Sequence, residues 1–318
     1  MTRSPGVLSA SPVSQVSPAR TASLNEQPIE VVSGLAALAG RYDLVLCDVW
    51  GVLHDGVKAF PPAGDALTRY RSGGGCVVLV SNAPRPGAEV GRQLDGLGVP
   101  RTAYDTIVTS GDITRTAIAE RAGRAVYHLG PERDASLFRG LDAPLVDLRD
   151  AEYVVCTGLF HDEQETVASY DDALRAMRER DLLFVSANPD IVVERGHLLI
   201  PCAGALAAAY EAIGGRTFTG GKPHRPIYEA ALEAAAGLGR GRADPDRTVA
   251  IGDAIRTDVA GAREFGIDAL MIARGIHAAE LGVRDGRLDE ETALAWLAGQ
   301  RHRPTSLAAE LVWDRQFP

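Results

Sequence analysis

The run YDLVLCDVWGVLHDG, Tyr42 to Gly56, decides how this chain is read. A continuous apolar stretch that ends on an aspartate and a glycine suits a strand buried on both faces, as in a parallel sheet covered by helices. Such a strand delivers Asp48 to its carboxyl end, and ligands collect outside the carboxyl ends of strands in open α/β sheets. Two residues further on, where a second acid would be useful, stands Trp50.

Outward from this run, short β-rich segments alternate with helical patterns. Strands are expected at 44–48, 76–81, 106–109, 153–157, 182–186, 248–252 and 269–273. Helices are expected near 63–72, 87–97, 112–122, 166–179, 203–213, 227–237 and 257–265. The fold class is therefore α/β, a parallel sheet with helices on both faces. Residues 124–215 carry strand and helix signals of their own and read as an inserted domain between core segments 28–123 and 216–318. Residues 1–27, rich in Ser, Pro and Ala, read as a disordered tail.

At 318 residues with 46% apolar side chains, the chain can bury a sizeable core without staples. Its net charge of −9, with basic residues dispersed, gives no footprint for nucleic acid or an anionic membrane, so a small-molecule partner is expected. No apolar run reaches the length of a membrane span. The four cysteines, Cys47, Cys76, Cys156 and Cys202, sit in or beside apolar runs without CxxC spacing. They read as reduced, buried thiols of a cytoplasmic protein.

Further signals follow Asp48 in order: SNAPRP (Ser81–Pro86), GGKP (Gly220–Pro223) and GDAIRTD (Gly252–Asp258). Taken singly, each also suits an ordinary turn or helix cap. Four such coincidences in one order are harder to explain. An Asp after one strand, a Ser after the next, a Lys at a helix start and a Gly-Asp with a second Asp five residues on resemble the haloacid dehalogenase-like (HAD) hydrolase superfamily.

More narrowly, the chain resembles its class IIA group with a large C2-type cap, which includes NagD-like nucleotide phosphatases and pyridoxal phosphate phosphatases. TSGD (Thr109–Asp112), SANPD (Ser186–Asp190), the stretch Ile200–Leu232 and the closing RPTSLAAELVW carry that likeness. The resemblance implies a Rossmannoid core with an inserted α/β cap and Mg²⁺-dependent hydrolysis of a small phosphorylated metabolite. Asp48 would be the nucleophile forming an aspartyl-phosphate. Asp48, the backbone carbonyl of Trp50 and Asp253 would hold Mg²⁺, with Asp258 just behind them. Ser81, backbone amides around Asn82, and Lys222 would cradle the phosphoryl oxygens. Arg85 is a candidate for a second anionic group on the substrate, and Asn188, Asp190 and His197 are candidates for cap contacts. A homodimer through the cap is also possible on this reading.

The family pattern is Asp-x-Asp-Gly-Thr/Val, and its second aspartate protonates the leaving oxygen and then activates water. An indole can do neither. General acid–base help is worth roughly 10²–10⁴ in rate, so three alternatives stand. Another group, with His54 and Asp55 nearest, supplies the proton; or the substrate has an activated leaving group; or the protein is a silent phosphate-binding or regulatory member of the fold.

Overall fold

The computed structural model describes residues 27–195, 198–239, 244–284 and 286–314. His197 and residues 1–26 of the expected tail lie outside them. The described strands are β1 (Glu30–Val31), β2 (Leu44–Cys47), β3 (Cys76–Ser81), β4 (Thr106–Thr109), β5 (Val126–Leu129), β6 (Tyr153–Cys156) and β7 (Leu183–Ser186). They continue with β8 (Val192–Arg195), β9 (Leu198–Pro201), β10 (Arg216–Thr219), β11 (Thr248–Gly252), β12 (Asp268–Ile272) and β13 (Ser306–Ala308). The helices are α1 (Pro61–Ser72), α2 (Gly87–Leu97), α3 (Ser110–Ala119), α4 (Asp171–Glu179), α5 (Ala203–Ala212), α6 (Arg225–Gly237), α7 (Ala260–Phe265) and α8 (Glu290–Ala298).

Seven parallel strands form the larger sheet in the order β1-β13-β12-β11-β2-β3-β4. Side chains alternate across it with the period of two that a strand imposes. Val77 and Leu79 of β3 pack with Leu67 and Tyr70 of α1 and Leu94 of α2. Cys76, Val78 and Val80 pack on the opposite face with Ile227 and Tyr228 of α6 and Phe265 of α7. All six residues of β3 are consequently buried, which is why the run CVVLVS carries no polar alternation.

A second parallel sheet, β10-β7-β6-β5, is built from the inserted segment. It is covered by α5, whose Leu206 and Tyr210 pack on Phe184 of β7. Because β10 pairs with β7 over Arg216–Thr219, the second sheet continues past the boundary expected at residue 215. The β8–β9 hairpin is antiparallel and joins neither sheet. No helix among the described residues is long and apolar enough to cross a membrane.

Two local devices place the strand ends. Thr109 and Asp112 of TSGD form a capping box at the start of α3: Thr109 Oγ1 accepts from the Asp112 amide at 3.0 Å, and Asp112 Oδ2 accepts from the Thr109 amide at 3.0 Å. A cap of this kind stabilises a helix start by about 1 kcal/mol. After β11, the chain enters α7 through one widened turn, Ile255–Val259, which carries Asp258.

Candidate active site

Adjacent β2, β3 and β11 end side by side, because β2 pairs with β11 on one flank and β3 on the other. Asp48, Ser81 and Asp253 therefore emerge together at the carboxyl edge of the sheet. Each is less than 9% exposed, as are Asn82, Lys222 and Asp258.

Lys222 arrives from the stretch before α6 and donates from Nζ to Asp48 Oδ1 and, at 2.7 Å, to Asp258 Oδ1. Carboxylate oxygens of Asp48, Asp253 and Asp258 all lie within 4.8 Å of one another. The other oxygen of Asp258 accepts from the Ala254 amide at 3.1 Å, so this residue ties Lys222 to the turn after β11. Asp253 is held by the Ile276 amide at 2.9 Å.

Electrostatics follow from this crowding. Burial pushes Asp48 well above the usual carboxylate range, against the pull of Lys222. Burial also raises Asp253, with Asp258 adding repulsion, to about 7. For Lys222, burial works against the charge, but Asp258 and then Asp48 more than offset it, and its pKa is raised. Three carboxylates against one ammonium leave an excess of two negative charges when all are ionised. Buried oxygen donors with that excess fit a hard divalent cation such as Mg²⁺.

Glycine shapes the site at two points. Gly51 has φ +82°, and a Cβ there would stand 2.2 Å from Asp253 Oδ2. A Cβ on Gly221 would meet Asn82 Oδ1 at 2.6 Å, so the chain before Lys222 can approach β3 only without a side chain.

Asn82 acts as a clamp. Its Oδ1 accepts from the Lys222 amide at 2.8 Å, and its Nδ2 donates to the Lys222 carbonyl at 3.1 Å and to Asp190 Oδ1 at 2.8 Å. Asp190 thus links the loop after β7 to the core. Asn188 closes a local turn instead, its Oδ1 accepting from the Asp190 amide at 3.0 Å. The Ser81 hydroxyl accepts from the Ala83 amide at 3.2 Å.

These residues line a cavity of about 390 Å³ between the core and the inserted segment. Trp50 is on its wall, with its ring 5.2 Å from that of His54 in edge-to-face contact. Arg85 is also on the wall, but it is engaged: its guanidinium lies 3.9 Å from buried Asp134 and donates to Gln93 at 3.1 Å. Asp134, Arg133 and Asp162 are wall residues that sequence reasoning missed, and Arg133 pairs with Asp162 at 2.5 Å. Arg133 and Asp134 lie in the 3-10 helix Glu132–Phe138 after β5 and Asp162 in the turn after β6, and no motif marks either stretch.

The two nearest substitutes for a missing acid are spent on the turn. His54 is 2% exposed, its Nδ1 accepts from the Gly56 amide at 2.9 Å, and burial lowers its pKa to about 4. Asp55 accepts from the Val57 and Lys58 amides at 3.0 and 2.8 Å, and hydrogen bonds of this kind lower its pKa against the effect of burial. For His54 this predicts an acid sensitivity. Below its ordinary pKa of 6.5 the unfolded chain takes up a proton that the fold refuses, so stability is lost as pH falls from there towards about 4. The loss reaches about 3 kcal/mol. Urea midpoints at neutral and acid pH should show a smaller drop for His54→Asn, whose amide oxygen can replace Nδ1 as acceptor.

Comparison with known proteins agrees with this geometry. A haloacid dehalogenase-like hydrolase model matches residues 45–143, and a second HAD-hydrolase-like model matches residues 219–309. A crystal structure of a haloacid dehalogenase-like family hydrolase from Brucella suis 1330 is 48% identical, with a TM-score of 0.78 over 90% of this chain and 100% of that one. The chain belongs to the haloacid dehalogenase-like hydrolase family. The ribonucleotide monophosphatase NagD of Escherichia coli K12 is 29% identical over 241 residues, 73% of this chain and 88% of that protein. The D-glycerol 3-phosphate phosphatase of Mycobacterium tuberculosis is 28% identical over 253 residues, 77% of this chain and 67% of that protein. Within this HAD-family frame, the larger sheet is the Rossmannoid core and the inserted sheet is the cap.

Proposed function

We propose that this HAD-family protein is a Mg²⁺-dependent phosphohydrolase for a small phosphorylated metabolite whose leaving group departs without a proton. The observation that carries this reading is the contact of the Lys222 ammonium with both Asp48 and Asp258, with Asp253 beside them. It sets a fixed positive charge among buried carboxylates at one strand edge, which supports Asp48 as the nucleophile. Names of relatives, a ribonucleotide monophosphatase and a D-glycerol 3-phosphate phosphatase, support a small phosphorylated metabolite as the substrate, and the restriction to an activated leaving group comes from Trp50 alone. The four buried free thiols support a cytoplasmic setting.

In this reading Asp48, Asp253 and the Trp50 carbonyl would hold Mg²⁺, which would supply charge neutralisation for the phosphoryl oxygens. Asp48 attacks phosphorus, and an aspartyl-phosphate replaces the bond to the leaving group. Lys222 and the Ser81 hydroxyl fix the phosphoryl oxygens for that attack. Asp258 positions Lys222. Asn82 holds the Lys222 backbone and, through Asp190, keeps the cap loop over the site. With His54 and Asp55 engaged in their turn, the leaving oxygen receives no proton from this loop.

The expected result is a steep dependence of kcat/KM on leaving-group pKa. Mg²⁺-dependent phosphate release should be fastest from acyl and activated aryl phosphates and weakest from alkyl monoesters, since a missing general acid costs roughly 10²–10⁴. A flat dependence would reveal a proton donor and overturn the reading. Trp50 also favours a second reading, a silent phosphate-binding protein. Absence of release from every member of the series, with phosphate and Mg²⁺ still bound, would establish that one.

A further inference from the structure

The substitution at position 50 has unequal effects on the two halves of the proposed reaction. In the first half, an Asp48 oxygen forms a bond to phosphorus, and the bond to the leaving oxygen breaks with its electron pair. A phenolate or carboxylate leaves as an anion, so no proton donor is needed. In the second half, a water oxygen bonds to phosphorus and the bond to Asp48 breaks, restoring the carboxylate. The attacking water must now lose a proton, whatever the substrate was.

Among the described residues, the cavity offers poor acceptors for that proton. Trp50 has no basic atom. His54 Nδ1 is occupied by the Gly56 amide, and Asp55 by the Val57 and Lys58 amides. Asp162 pairs with Arg133, Asp134 lies against Arg85, Asp190 accepts from Asn82, Asp258 accepts from Lys222 and the Ala254 amide, and Asp253 is a cation ligand in the reading above. An activated leaving group rescues the first half and does nothing for the second.

We infer that phospho-Asp48 forms quickly and is hydrolysed slowly, so the protein accumulates as a phosphoenzyme able to pass its phosphoryl group to a nucleophile better than water. This rests on the hydrolase reading above.

The test mixes wild type with 4-nitrophenyl phosphate and Mg²⁺, follows nitrophenolate rapidly, and measures the intact mass of acid-quenched protein. Wild type should show a burst of one nitrophenolate per chain, then a slow steady rate. The quenched protein should carry one phosphoryl group, removable by hydroxylamine as an acyl phosphate is and absent from Asp48→Asn.

Trp50→Asp should abolish burst and adduct and raise the steady rate by on the order of 10²-fold or more. Trp50→Asn, nearly the same size but without proton transfer, should keep both. It thereby separates chemistry from the loss of indole packing against His54.

Phosphate release by wild type without burst or adduct would overturn the inference while leaving the hydrolase reading intact. Loss of the burst in Trp50→Asn as well would overturn it too, because the effect would then belong to packing. Silence of both wild type and Trp50→Asp would overturn the hydrolase reading itself.

Discussion

Asp48→Asn is expected to reduce Mg²⁺-dependent release of nitrophenolate from 4-nitrophenyl phosphate to the rate of the buffer alone. An amide oxygen is a poor nucleophile at phosphorus, and removing a nucleophile from a preorganised site costs on the order of 10⁶ in kcat. The fold should survive. Burial already disfavours the ionised form of Asp48, and Lys222 retains its 2.7 Å contact with Asp258. The thermal midpoint of the variant should therefore stay within a few degrees of wild type, about 1 kcal/mol or less. A variant that keeps more than a trace of the activity would remove Asp48 from the chemistry.

Lys222→Met is expected to have the largest effect on stability. The ammonium is buried and faces Asp48 and Asp258, with Asp253 close by. Removing it leaves carboxylates crowded in a site without that positive charge, and breaking a buried ion pair from one side costs about 3–5 kcal/mol. The pH dependence has a definite sign. Without Lys222 the folded carboxylates hold their protons to higher pH than the unfolded chain does, so the variant is least stable at high pH and recovers as pH falls. Mg²⁺ should restore part of the loss by binding only the folded state. Urea titrations at two pH values, with Mg²⁺ and with a chelator, check each statement. A variant as stable as wild type at alkaline pH without Mg²⁺ would mean that the carboxylates ionise in the fold without needing the Lys222 charge, and would overturn its role there.

Much of the core was legible along the chain. β3, α2 and β11 begin and end at the residues expected, since a fully apolar run bounded by turn residues has few alternatives as a buried strand. Strands β5 and β10 escaped notice. Val126–Leu129 contains Tyr127 and His128, and Arg216–Thr219 has Phe218 as its only apolar residue, so neither reads as a buried parallel strand. Both are edge strands of the second sheet, where one flank needs no strand partner. The entry to α7 was also more local than the pattern suggested: the widened turn at Ile255–Val259 serves to bring Asp258 back to Ala254 and Lys222.

The sequence by itself determined which residues end the central strands, and hence the carboxylates of Asp48 and Asp253 at the sheet edge and the absence of an acid at position 50. Those features are local: a strand and its terminating residue are specified by a few neighbours through sterics and burial. Only the tertiary structure decided what these side chains meet. Lys222 reaches Asp48 across 174 residues of sequence, and Asn82 reaches Asp190 across 108. Arg85, free to bind an anion in the sequence, lies against Asp134, and His54 is turned onto Gly56. A charged or hydrogen-bonding side chain takes whichever partner the crossovers carry to it. That choice is set by strand order and by the inserted domain above the sheet, and neither is written near the residue concerned.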